Sequence, residues 1–182
     1  MSDVCPVERA GSLDNSFRRF FQNPRKILRP YIKEGMTVLD LGCGPGFFSV
    51  AMAQMVGASG RVIAADLQEG MLARLKDKVQ NTDLEKRIKL HKCAADKIGV
   101  SEEVDFALAF YVIHEILDRE KVLNEVRSIL KPSGRLLIVE PKLFHVTKEA
   151  FEETVKSARE VGFEVGERPP VFLSRAVALR KV

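Results

Sequence analysis

Apolar positions along this chain change their spacing at regular intervals. Short runs that are apolar at nearly every position, at 38–41, 62–65 and 106–110, alternate with stretches in which apolar residues recur every three or four positions. The runs suit strands buried on both faces, as in a parallel sheet, and the spaced stretches suit helices that pack on it by one side. From Met36 onward the pattern predicts strand 38–41, helix 47–56, strand 61–66, helix 69–79, strand 88–92, strand 106–110, helix 121–130 and strand 135–140. Lys131-Pro132-Ser133-Gly134 reads as the stop after the last of these helices. A helix over 147–161 follows, capped by Thr147 and ended by Gly162, and then two short strands, 163–165 and 175–179, around Pro169-Pro170. Alternating strands and helices of this kind make βαβ units and a mostly parallel sheet.

The first 35 residues stand outside this alternation. They predict a short helix over 14–22, with Phe17, Phe20 and Phe21 turned inward, and a second one from Pro24, which sits at a favoured first helical position after Asn23. Three phenylalanines in five residues need cover, so this segment is expected to pack on the sheet edge or to form a lid over a site there. The division is then a helical lid segment, 1–35, on one compact domain, 36–182.

With 46% hydrophobic and 30% charged residues among 182, the chain has the composition of a soluble globular domain with a full core. No apolar run is long enough for a membrane span, and Met1 to Ala10 carries Asp3 and Glu8, so no secretory signal is expected and the cytoplasm is the expected location. Cys5, Cys43 and Cys93 are odd in number and far apart, which suits free thiols, and no Cys-x-x-Cys pair or histidine cluster points to a metal. The formal charge of +4 is uneven, because Arg18, Arg19, Arg25, Lys26 and Arg29 lie together without an acid. That cluster is either a solvated basic face or a contact for an anionic partner.

The chemistry concentrates where strands end. Val38-Leu39-Asp40-Leu41-Gly42-Cys43-Gly44-Pro45-Gly46-Phe47 joins a buried strand to a glycine-rich turn and then to a helix. Glycines at alternate positions allow left-handed backbone and a close ligand approach, and the helix start behind them presents unpaired N–H groups to an anion. Asp40 stands at the strand end, where it can accept from an ammonium or hydroxyl. Asp66 closes the second strand, 20 positions after Gly46, where an acid can chelate ribose hydroxyls or cap the next helix. Leu67 and Met71 are either an apolar wall for a flat base or ordinary core. Cys93-Ala94-Ala95-Asp96 follows the third strand, where backbone groups and a short side chain can read an adenine edge; Asp96 as a solvated acid is equally open. Phe110, Tyr111 and His114 follow the fourth strand. His114-Glu115 can supply a base or an orienting pair, since imidazole titrates near neutrality, or His114 can be structural.

Three motifs in order, 38–47, Asp66-Leu67-x-x-x-Met71-Leu72 and 130–141 (Leu-Lys-Pro-Ser-Gly-Arg-Leu-Leu-Ile-Val-Glu-Pro), resemble those of class I S-adenosylmethionine-dependent methyltransferases. They are most similar to the group that includes the ubiquinone and menaquinone biosynthesis C-methyltransferases. The resemblance covers about residues 30 to 180. It implies an α/β, Rossmann-like three-layer sandwich with a seven-stranded, mostly parallel sheet and an antiparallel last strand. It implies S-adenosyl-L-methionine as cofactor, with Gly42, Cys43, Gly44, Gly46 and Phe47 around its methionine part and Asp40 on its ammonium, directly or through water. Asp66 would hold the ribose, Leu67 and Met71 the base, Ala94 and Ala95 the adenine edge, and Phe110 the chain near the sulfonium. Tyr111 and His114 are the catalytic candidates.

Two departures stand out. The acid that the family often places in the turn after the third strand is Ala94 here, and no inserted cap exists, so the acceptor pocket has to come from 1–35 and the loops after strands four and five. The expected partner is a small-molecule methyl acceptor, with a homodimer left open and no stable nucleic-acid complex. Cys5 could reach such a pocket or be a plain thiol. Two competing functions remain, a nicotinamide-dependent oxidoreductase and a non-catalytic cofactor- or RNA-binding module. The first wants a third glycine where Phe47 stands; the second would use Arg18, Arg19, Arg25 and Lys26.

Overall fold

In the computed structural model, which describes residues 21–142 and 146–182, the Asn23 side chain accepts from the Lys26 N–H and starts α1 (Pro24–Leu28). Most of the predicted helix over 14–22, with Phe17 and Phe20, lies outside the described residues, as do Arg18, Arg19 and Cys5. From there β1 (Thr37–Leu41), α2 (Phe47–Met55), β2 (Arg61–Asp66), α3 (Glu69–Val79), β3 (Ile88–Lys92), β4 (Val104–Phe110), α4 (Arg119–Ile129) and β5 (Leu130–Pro141) follow one another. The chain closes with α5 (Lys148–Glu160), β6 (Phe163–Val165) and β7 (Ser174–Lys181). As the sequence predicts, Thr147 caps α5 by accepting from the Ala150 N–H at 3.1 Å.

The strands form one seven-stranded sheet in the order β3-β2-β1-β4-β5-β7-β6. Pairings from β3 through β5 are parallel, whereas β7 pairs antiparallel with both β5 and β6. Successive side chains of a strand point to opposite faces, so Val38 and Leu39, both fully buried, feed two different cores. On one face Val38, Val62, Phe106 and Leu108 pack with Leu28, Phe48, Met52 and Leu75 from α1, α2 and α3. On the other, Leu39, Ile63 and Ala107 pack with Leu123 and Val126 of α4 and Phe151 and Val155 of α5. The result is the three-layer, Rossmann-like sandwich expected above.

The boundary that differs most from expectation is the start of β5. β5 begins at Leu130 directly after α4, and Leu130 pairs with Val104, while the regular register resumes only at Arg135 opposite Phe106. Lys131-Pro132-Ser133-Gly134 is therefore an irregularity inside the strand, with Ser133 at φ 61°. Pro132 cannot donate to a ladder, and a bulge is where a sheet tolerates it.

Strand order reverses between β1 and β4, since the chain runs outward from β1 through β2 and β3 and then returns to β4 on the other side. The carboxyl ends of β1 and β4, at Leu41 and Phe110, flank the crevice where open α/β sheets take ligands. Phe106 anchors this centre: it is 1% exposed and stacks on Tyr31 at 5.4 Å. Truncating such a side chain loses transfer energy and leaves a cavity. Phe106→Ala is expected to lower unfolding free energy by about 3–5 kcal/mol, read from the denaturant midpoint at unchanged slope.

Candidate cofactor and acceptor site

Leaving β1, the chain takes left-handed backbone at Gly42, Gly44 and Gly46, with φ of 68°, 52° and 85°. The three glycines meet different surroundings. A Cβ at Gly42 would strike Val112 at 2.5 Å and one at Gly46 would strike Leu75, so both are required by packing. A Cβ at Gly44 would meet nothing within 4 Å, so this residue presents bare main chain to open space. Gly42 and Cys43 donate their N–H groups to the Ala65 carbonyl at 2.8 and 3.1 Å, which fastens the loop to the end of β2. Gly46 is the N-cap of α2 and has no side chain to offer its first-turn N–H groups, which keeps an anion-attracting end beside the loop.

Asp66 stands beside Gly44. Its carboxylate accepts from the Gly44 N–H and from the Gln68 N–H, each at 2.8 Å. Burial raises its pKa, and the backbone donors from Gln68, Gly44 and Leu67 oppose that only in part. Asp40 is 2% exposed, and the Ser49 hydroxyl donates to it at 2.5 Å, so the acid at the strand end also braces the first turn of α2. Leu67 is 41% exposed beside Asp66, whereas Met71 is 2% exposed and belongs to the core. Of the two expected wall residues, Leu67 alone offers open apolar surface.

After β3, Ala94 and Lys97 exchange backbone hydrogen bonds in a tight turn that leaves Ala94 and Ala95 exposed. Asp96 is drawn to Lys121 of α4 at 3.1 Å, and that hydrogen bond and charge hold its carboxyl below the usual range. Burial keeps the Cys43 thiol well above its ordinary pKa, reinforced by Asp40 and Asp66, and pushes Cys93 up to about 12. Both are neutral free thiols.

On the β4 side, Phe110 lies 4.3 Å from Phe48 and 4.5 Å from Tyr111, ring centre to ring centre. Tyr111 is held at φ 61° and its hydroxyl meets both the Gln22 amide and the Ser174 hydroxyl at 2.6 Å. This ties the chain just before α1 to β4 and β7. His114 stands on a single 3-10 turn, Ile113–Glu115. The acid that orients it is Glu140 near the end of β5, not its neighbour Glu115: one carboxylate oxygen faces Nδ1 at 2.5 Å and the other accepts the His114 N–H at 3.2 Å. Sequence reading missed Glu140 because the contact spans 26 residues; the clue it left was an acid inside an apolar strand end. Among the described residues, no cluster of His, Cys, Asp and Glu is arranged to hold a metal, and no helix is long and apolar enough to cross a membrane.

Comparison with known proteins fits this geometry to a family. The family model described as "Methyltransferase domain" matches residues 32–168, and a solved structure titled a SAM-dependent methyltransferase from Aquifex aeolicus superposes with a TM-score of 0.88 at 30% identity, over 98% of this chain and 100% of that one. The chain belongs to the class I S-adenosylmethionine-dependent methyltransferases. Within this methyltransferase family, it is 32% identical over 127 residues to the demethylmenaquinone methyltransferase of Lactobacillus johnsonii, covering 69% of this chain and 50% of that one. It is 31% identical over 110 residues to the ubiquinone/menaquinone biosynthesis C-methyltransferase UbiE of Enterobacter sp. (strain 638), covering 60% and 44%. The chain thus spans about half the length, or less, of these curated relatives.

The residues here fit the family's cofactor: bare main chain at Gly44, a buried carboxylate beside it and an uncapped helix start are chemistry that could hold a ribose and an amino-acid carboxylate. At His114, burial alone would lower the pKa, but the hydrogen bond and charge of Glu140, helped by Glu115, outweigh it and the opposing Arg119, so the net shift is upward. The folded protein therefore holds this proton more tightly than the unfolded chain. The pair's contribution to stability is complete below the ordinary histidine pKa and fades as pH rises through the folded value. Replacing Glu140 by Gln is expected to bring the His114 titration, followed by imidazole NMR, to lower pH; an unmoved titration would show that Glu140 does not control it.

Proposed function

We propose that this chain transfers the methyl group of S-adenosylmethionine to a small-molecule acceptor held between the β4 and β5 ends and the chain around Gln22. The observation that carries the cofactor half is Gly44, whose missing side chain opens on empty space next to Asp66. In this reading Asp66 takes the ribose hydroxyls, the α2 N-terminus and the glycine loop take the methionine part, and Asp40 meets the ammonium through water. Leu67, with Ala94 and Ala95, borders the adenine. Phe110, packed between Phe48 and Tyr111, borders the methionine chain near the sulfonium.

When bound, the cofactor supplies a sulfonium methyl, an electrophile that is already activated. What remains for the protein is alignment of the acceptor in a dry site, which contributes up to roughly 7–11 kcal/mol in well-oriented systems. Tyr111 and Gln22 close one wall through their hydrogen bond, which supports a lid role for the segment before residue 36. His114, fixed by Glu140 through Nδ1, can take or hold a proton at its other nitrogen, as a carbon or oxygen nucleophile demands. The names of the curated relatives support a carbon acceptor. A nicotinamide enzyme is disfavoured by Phe47, which is buried against Phe48 where a third glycine would allow close approach.

Calorimetric titration with S-adenosylmethionine tests the cofactor half. Asp66→Ala is expected to weaken binding roughly 10- to 100-fold, as the loss of hydrogen bonds to a charged group does. Gly44→Val is expected to abolish it, both by filling the open space and because a β-branched residue resists φ 52°. Full affinity in both folded variants would overturn the assignment.

A further inference from the structure

A second concave surface lies at the same edge of the sheet, outward from Tyr111. It encloses about 580 Å³ between the first turns of α5 and the turn that leads into β7. One wall is apolar, made by Phe151, Pro169, Pro170, Val171, Phe172 and Leu173. The charges around it are one-sided: among the described residues Lys142, Lys148, Arg168 and Arg175 line it, with Glu152 as the one acid. Glu152 is spent on Arg168, which grips it through two contacts at 2.5 and 2.7 Å. Lys142 and Lys148 are left facing an apolar wall beside Arg175, which donates to the Val146 carbonyl at 3.0 Å, and Glu149 feels the charge of Lys148 and Arg175.

The apolar wall is held in place at a cost. Val171 accepts from the Ser174 N–H at 3.1 Å, closing a turn in which Leu173 sits at φ 50°. Left-handed backbone at a leucine is unfavourable, and such strain gathers where a surface has to keep a shape. Phe172 and Leu173 are nevertheless half exposed on this turn, and Phe172 is stacked by Phe21 at 4.7 Å. The inner end of the groove reaches the candidate acceptor site at two points. Ser174 meets the Tyr111 hydroxyl, and Arg175 is paired in register with Glu140, which puts both on one face of the sheet.

We propose that this groove binds an organic anion, a carboxylate or phosphate carried on an apolar body, and that the methyl acceptor is a molecule of this class. The second half rests on the methyltransferase reading; the first does not. Charge at the groove holds the anionic end while the apolar body lies along Phe172 and Leu173 toward Tyr111 and His114.

Calorimetry of the full chain without S-adenosylmethionine tests it, with 2-naphthoate, 2-naphthyl phosphate and the neutral 2-naphthamide as probes. One equivalent of at least one anion is expected to bind, with the amide at least about tenfold weaker, and the tighter anion identifies the head group. The double variant Lys142→Glu and Lys148→Glu is expected to weaken the anion about tenfold or more, while Lys156→Glu, farther along α5, leaves it unchanged. Equal binding of the amide, or undiminished anion binding by the folded double variant, would overturn the proposal. S-adenosylmethionine is titrated separately, so a lost cofactor site with a retained anion site refutes the methyltransferase reading alone.

Discussion

A chain that leaves a buried parallel strand and must enter a helix within five residues has few backbone routes, and the one taken here depends on left-handed conformation at three alternate positions. Gly42 and Gly46 are fixed by what surrounds them, Val112 and Leu75. That rigid frame lets Gly44 between them stay open. The Asp66 carboxylate, which takes the Gly44 N–H, joins the loop to the end of the neighbouring strand. Together with the Gly42 and Cys43 N–H groups on the Ala65 carbonyl, it couples the ends of β1 and β2.

On the other side of the reversal in strand order stand Glu140 and His114. Glu140 is 1% exposed and would be costly to keep charged without partners. His114 supplies two donors, and the pair keeps a protonatable ring at the mouth of the crevice. The same interaction favours the charged imidazole, so the ring holds its proton more tightly than it would without Glu140. Tyr111, with its unfavourable backbone and its hydroxyl shared between Gln22 and Ser174, joins β4 to β7 and to the segment before α1.

Much of this was legible in the sequence because local rules decide it. Strands 61–66 and 88–92 and helix 69–79 follow from apolar spacing alone, and the glycine loop, the Thr147 cap and the Gly162 stop follow from residue type. What escaped depends on contacts between distant segments. The start of β5 at Leu130 is set by pairing with Val104, which outweighs the helix-stop look of Lys131-Pro132-Ser133-Gly134. Glu140 as the partner of His114 and Lys121 as the partner of Asp96 likewise have no local signature. The groove beside β7 was hidden for the same reason, since its cations come from three separate stretches of chain.

The central claim is that the cofactor lies at the reversal in strand order, on the glycine loop. Backbone NMR of the protein titrated with S-adenosylhomocysteine measures this most directly. Shifts are expected to concentrate at residues 40–47, 66–68, 94–97 and 110–114. Saturable binding that leaves the amides of 42–46 and 66–68 unmoved would contradict the account.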